Sequence, residues 1–227
     1  MNNFFATPER AWGDGSVHVT PIGIAILVIV IAALIIGAAI WRQRNSSKKK
    51  TLTTKQLVYS AAAIALAVVC SMIKLFEMPM GGSVTLLSML FIVLIAYWYG
   101  PYVGIMTAVA YGLVQFVTEP IFYTLPQMLL DYPLAFGALG LAGFFHNKKY
   151  GLQIGYIVGV LGRFLFSTAS GVIFFASYAP EGMHPLVYSA GYQASYLVPE
   201  AVVTLIIISI PPVAKALAQV KKQAVEN

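Results

Sequence analysis

The chain has 227 residues, 59% of them hydrophobic and only 10% charged, with a mean hydropathy of +0.80. These values exclude an ordinary soluble domain and indicate an all-α polytopic membrane protein, because hydrocarbon offers no water to the backbone and long apolar runs satisfy it as helices. The formal charge of +6 gathers beside predicted helix ends, which assigns it to membrane orientation and leaves no case for nucleic acid as a partner.

Residues 1–20 are mixed and polar, with Glu9, Arg10, Asp14 and His18, and lack the positive leader of a cleaved signal. They are expected to lie outside the cell. Residues 21–41 form an apolar run long enough to span, and the basic residues of 42–53 (Arg42, Arg44, Lys48, Lys49, Lys50) form a cytoplasmic linker after it. Six further spans are predicted near 54–75, 83–99, 101–118, 122–145, 152–177 and 186–212, with Gly100-Pro101 as a tight turn and Pro211-Pro212 near the last helix end. Residues 216–227 read as a cytoplasmic tail. Lys55, Lys148, Lys149, Lys215, Lys221 and Lys222 fall on the predicted cytoplasmic side, and Glu9, Asp14, Glu77, Glu119 and Glu181 on the other, so the N-terminus is expected outside and the C-terminus inside the cell membrane.

No P-loop, dinucleotide fingerprint or Cys/His metal spacing occurs, and no nucleophile–base set for catalysis. No cofactor, metal or catalytic residue is expected. Cys70 reads as a small buried hydrophobe.

The stretch 125–136 holds the most informative polar residues. An intramembrane carboxylate costs about 2.5–3.5 kcal/mol on insertion scales, so Asp131 should face a bundle interior, a partner or a ligand. In a helix Gln127 and Asp131 share a face, and Tyr132 lies beside them. This set suits a cationic or aminopyrimidine-like ligand; the alternative is a structural ion pair between Asp131 and Arg163. Tyr188, Tyr192 and Tyr196 recur at one-turn spacing, which fits either an interfacial aromatic belt or, with Gln193 beside them, a binding surface. Glu200 after Pro199 is open to a packing role or a pathway role. Ala61 with Ala65, and Ala63 with Ala67, give small surfaces that let another helix approach, within this chain or in a partner.

Four ordered stretches, Met78-Pro79-Met80-Gly81-Gly82-Ser83-Val84, Gln127 to Tyr132, Ser170 to Gly182 and Val187-Tyr188-Ser189, resemble the ThiT/YuaJ thiamine transporter family over about residues 54–215. The resemblance implies a six-helix S-component core, to which 21–41 adds one further N-terminal helix. It implies a substrate-binding subunit of an energy-coupling factor (ECF) importer, which captures thiamine outside and works with a transmembrane coupling subunit and two cytoplasmic ATPases. It places the family's acidic-Tyr pair on Asp131 and Tyr132, its pocket tyrosine on Tyr188, and its docking motif on Ala61 and Ala65. The family's histidine, tryptophan and asparagine fall on Ser167, Phe175 and Gln193, and its second-helix glutamate falls near Leu86; these departures bear on ligand preference. A thiamine precursor, or transport coupled to protons through Asp131 or Glu200, are the competing readings.

Overall fold

The structure, a computed structural model, describes residues 52–78 and 82–226 and the backbone of two short strands, β1 (Ala6–Pro8) and β2 (Val17–Val19), which pair antiparallel. The expected first spanning helix at 21–41, most of the basic linker and the Pro79–Gly81 part of the first family stretch lie outside the described residues.

Helices that begin at Thr54, Leu125 and Pro185 start beside side chains that accept from their free N–H groups. Helix α1 (Thr54–Met72) starts with a capping box: Thr53 Oγ1 accepts from Gln56 N at 3.2 Å, and Gln56 Oε1 accepts from Thr53 N at 3.0 Å. After it, strands β3 (Lys74–Glu77) and β4 (Ser83–Thr85) form an antiparallel hairpin, so the span expected from residue 83 is instead strand, then helix α2 (Ser88–Tyr99). Gly100, at φ +86°, turns the chain straight into α3 (Pro101–Thr118), with Pro101 in its first turn.

The next span, α4 (Leu125–Phe145), is not a uniform α-helix. Its Leu130–Leu134 turn is a π-helix holding Pro133, closed by Ala135 N donating to Leu130 O, and Ala138–Phe145 is 3-10. Proline has no N–H to donate and crowds the preceding turn, and the wider π turn relieves both at the point where Asp131 and Tyr132 sit. Helix α5 (Gly151–Phe174) follows, then a short turn at Ala176–Tyr178 and α6 (Pro185–Ser209), which runs unbroken through Pro199. The chain bends at Ile210, and Pro211-Pro212 opens a separate helix, α7 (Pro211–Val225). The expected tail is therefore helical, and the boundary drawn at 215 falls inside α7.

Among the described residues, five helices are long and apolar enough to span, while α2 has only 12 residues and is apolar on every side. A helix of that kind belongs inside a bundle. Met89, Ile92, Val93, Ile95 and Ala96 are each 0% exposed, enclosed by α1, α3, α4 and α5. On α1 the outward side chains Leu57, Val58, Leu66, Val69 and Met72 are exposed, as a lipid-facing surface requires.

Helix α7 packs across one end of the bundle. Lys221 Nζ donates to His146 O at 3.0 Å and lies 3.8 Å from the Tyr97 ring, and Tyr99 Oη donates to Ala224 O at 2.9 Å. Lys55 also donates to Glu226 O. These contacts collect Lys55, Lys148, Lys149, Lys215, Lys221 and Lys222 at one end, and the β3–β4 hairpin marks the other.

The start of α2 has no cap of its own. Leu87 is left-handed at φ 61° and its side chain cannot accept a hydrogen bond. Glu200 of α6 supplies the acceptor: Oε2 takes Thr85 Oγ1 at 2.7 Å and Thr85 N at 3.2 Å, and Oε1 takes Ser88 Oγ at 3.2 Å and Met89 N at 3.4 Å. The carboxylate is 3% exposed and meets the positive end of the α2 dipole. Glu200→Ala should lower stability by about 3–5 kcal/mol, because these buried donors lose their charged acceptor. Thermal unfolding in detergent is the measurement, with Glu200→Gln expected to recover part of the loss.

Candidate functional site

At the hairpin end, α3 to α6 and the β3–β4 hairpin enclose a cavity of about 390 Å³. Two close backbone approaches shape it. A Cβ on Gly112 of α3 would lie 2.5 Å from Tyr132 O, so only glycine lets α4 come this near. A Cβ on Gly82 would lie 2.8 Å from the Tyr196 ring, while Gly82 N donates to Tyr192 Oη at 2.9 Å, fixing the hairpin to α6.

Four carboxylates, Glu77, Glu119, Asp131 and Glu200, line the cavity against two cations, Lys74 and Arg163. Three of the carboxylates are already engaged. Glu200 holds α2. Lys74 joins the hairpin to the α3–α4 connection through Glu119 at 2.9 Å and Glu77 at 3.0 Å, and these hydrogen bonds, Glu119's first, raise the Lys74 pKa. Asp131 differs: Gln127 Nε2 donates to its Oδ2 at 2.6 Å and the Ser170 hydroxyl lies beside the same carboxylate, but no described cation pairs with it. The sequence alternative of an Asp131–Arg163 ion pair is not the observed arrangement; no described carboxylate lies within the 4.0 Å ion-pair distance of Arg163. The guanidinium carbon instead sits 4.1 Å from the centre of the Phe136 ring, with Nε buried and unpartnered among the described residues.

The other sequence candidates divide by what their polar atoms already do. Tyr132 lines the cavity with its ring, packed edge-on against Phe116 at 5.1 Å, but its hydroxyl donates to Glu119 O at 2.7 Å and accepts from Ile121 N at 2.8 Å. Its hydroxyl therefore holds the 119–121 loop. Gln193 also lines the cavity, yet Nε2 donates to Ser167 O at 3.3 Å and Oε1 accepts from Tyr196 Oη. Ser167 keeps Oγ free of hydrogen bonds among the described residues, one turn along α5 from Arg163. Phe175 stands at the mouth, edge-on to Tyr123 at 5.4 Å, and Tyr188 lines the wall, stacked on Tyr192 at 6.4 Å. Gln127 is fully buried and is not among the residues that line the cavity.

Residues the sequence did not place in the site include Arg163 and the Lys74–Glu77–Glu119 cluster; Tyr192, Tyr196 and Glu200, for which the sequence allows a binding or pathway role as one of two readings, also line the cavity. Arg163 carried a usable signal, being a lone cation in the middle of an apolar span. The Lys74 cluster had none, since its members come from two separate connections.

The alanine stripes on α1 separate cleanly. Ala63 and Ala67 are buried against the bundle, whereas Ala61 and Ala65 are exposed.

The site as a whole offers a carboxylate that no described cation pairs, several aromatic ring faces and a serine hydroxyl. Such a set has the chemistry to hold a flat organic cation carrying hydrogen-bonding groups.

Comparison with known proteins converges on one family. The family model described as thiamine transporter protein (Thia_YuaJ) matches residues 57–220. The chain is 36% identical over 165 residues to the thiamine transporter ThiT of Bacillus subtilis, covering 66% of this chain and 84% of that protein. It is 27% identical over 97 residues to the thiamine transporter ThiT of Lacticaseibacillus paracasei, covering 37% of this chain and 48% of that protein. The fold is similar to a solved structure of ThiT from Listeria monocytogenes, with a TM-score of 0.61 at 24% identity, covering 74% of this chain and 96% of the other.

Tyr132→Phe keeps the ring and removes the hydroxyl that holds Glu119 and Ile121. It should cost about 1–3 kcal/mol in thermal unfolding, less than the about 3–5 kcal/mol of Tyr132→Ala, which also removes the ring.

Proposed function

We propose that this chain, which belongs to the Thia_YuaJ thiamine transporter family, binds thiamine in the cavity beside Asp131 as the substrate-binding subunit of an ECF importer. Membership makes it a multi-pass membrane transport protein. The observation that carries the ligand reading is the Asp131 carboxylate, which no described cation pairs, in a cavity walled by aromatic rings. Thiamine combines a permanent thiazolium cation with an aminopyrimidine. The carboxylate complements its charge or its amine, and the rings of Tyr132, Phe175 and Tyr188 complement its flat faces. Ser167 and the guanidinium of Arg163 add polar groups for the rest of the ligand.

The orientation reading rests on charge. Apart from Lys74, the described lysines gather at the end opposite the cavity, and basic ends favour the cytoplasm, so the cavity faces outward and captures ligand there. Inward delivery then falls to partner subunits, a transmembrane coupling protein and two ATPases, since the chain carries no nucleotide-binding motif of its own. The exposed Ala61 and Ala65 give α1 a shallow face on which a partner helix can approach closely, and this supports docking there.

Asp131→Asn should weaken thiamine binding by about 10- to 100-fold, since a charge-assisted contact contributes roughly 1.5–3 kcal/mol; equilibrium dialysis with labelled thiamine on purified protein reads this directly. Unchanged affinity would remove Asp131 from the site. In liposomes the chain alone should not accumulate thiamine under a pH gradient, whereas uptake should appear with the coupling subunit, ATPases and ATP. Gradient-driven uptake by the lone chain would instead establish a secondary transporter. Replacing Ala61 and Ala65 by leucine should leave thiamine affinity intact and abolish association with the coupling subunit in co-purification.

A further inference from the structure

Gln127 lies behind the cavity wall, 0% exposed, and its amide joins two parts of the site that the chain separates. Nε2 donates to Asp131 Oδ2 at 2.6 Å and to Ile121 O at 3.2 Å, and Oε1 accepts from Tyr123 N at 3.0 Å. One planar group thus fixes both the carboxylate and the loop before α4. That loop carries Tyr123, whose ring meets Phe175 edge-on at 5.4 Å where the loop faces the end of α5. Tyr123 is 48% exposed, so this contact is at the outer rim of the site.

We infer that Gln127 is a positioning residue that couples ligand engagement at Asp131 to closure of the Tyr123–Phe175 contact. The inference rests on the reading of Asp131 as the ligand carboxylate. With Oδ2 held by the amide, the carboxylate presents Oδ1 to the cavity in one orientation. A ligand cation on Oδ1 favours that orientation, and the same amide then holds Ile121 and Tyr123 in place. Breaking the link lets the carboxylate turn and lets the loop carry Tyr123 away from Phe175, so bound ligand leaves faster. Gln127 itself need not touch the ligand.

The test is a double-mutant cycle on the full chain with labelled thiamine, measuring affinity and dissociation rate for wild type, Gln127→Met, Asp131→Ala and the pair. Gln127→Met should weaken binding about tenfold, mainly through faster dissociation, yet change affinity by less than about twofold when Asp131→Ala is already present. A merely structural role would multiply the two losses. Tyr123→Ala should also speed dissociation, and less so in the Gln127→Met background. If Gln127→Met does not fold, Gln127→Glu serves: it keeps the size and the acceptor for Tyr123 N but cannot donate to Asp131 when ionised, and the same non-additivity is expected. Wild-type kinetics in a folded Gln127 variant, or losses that multiply, overturn the coupling. Failure of the wild-type protein to bind thiamine at all overturns the ligand reading instead.

Discussion

The structure depends on a buried carboxylate that caps a helix to which it does not belong. Helix α2 is too short to span and its body is enclosed by the bundle, so its starting N–H groups need an acceptor from elsewhere in the chain. Glu200 of α6 reaches across and accepts from the side chains and backbone around Thr85, Ser88 and Met89. A lone buried anion would be strongly unfavourable, but here it meets several donors and the positive end of a helix dipole. The same contact sets the foot of the β3–β4 hairpin and hence one wall of the cavity.

Around that fixed point the site separates structural polar groups from available ones. Lys74 pairs with both Glu77 and Glu119, which ties the hairpin to the α3–α4 connection and leaves one negative charge in excess. The Tyr132 hydroxyl and the Gln193 amide are engaged with the protein. What remains toward the cavity is an edge of Asp131, the Ser167 hydroxyl, the Arg163 guanidinium and ring faces. Neighbours have already restricted the orientations of these groups, which would reduce the ordering cost of binding a ligand there.

The π turn at Leu130–Leu134 shows how local chemistry and site geometry meet. Pro133 cannot continue an α ladder without a defect, and the defect falls where two functional side chains leave the helix. Gly112 then lets α3 press against the backbone of Tyr132, so the irregular turn is held by tertiary contact. The family reading of Asp131 with Tyr132 and the physical reading of an irregular turn concern the same few residues.

Composition alone determined that the protein is a helical membrane protein, because apolar runs without water can satisfy their backbone in few ways. The order of apolar runs located most spans, and the cost of an intramembrane charge directed attention to Asp131. The i, i+4 spacing correctly put Gln127 next to that carboxylate, and the ordered motifs pointed to the family. Sequence periodicity did not reveal the hairpin before α2 or the separate α7, since hydropathy does not distinguish a short buried strand from the start of a helix. Nor could it tell that Gln127 lies off the cavity wall, that Arg163 forms no ion pair with Asp131, or which alanine stripe faces outward. Those outcomes depend on distances between residues far apart in the chain, such as Thr85 to Glu200 or Lys74 to Glu119, and only packing brings such groups within hydrogen-bond reach.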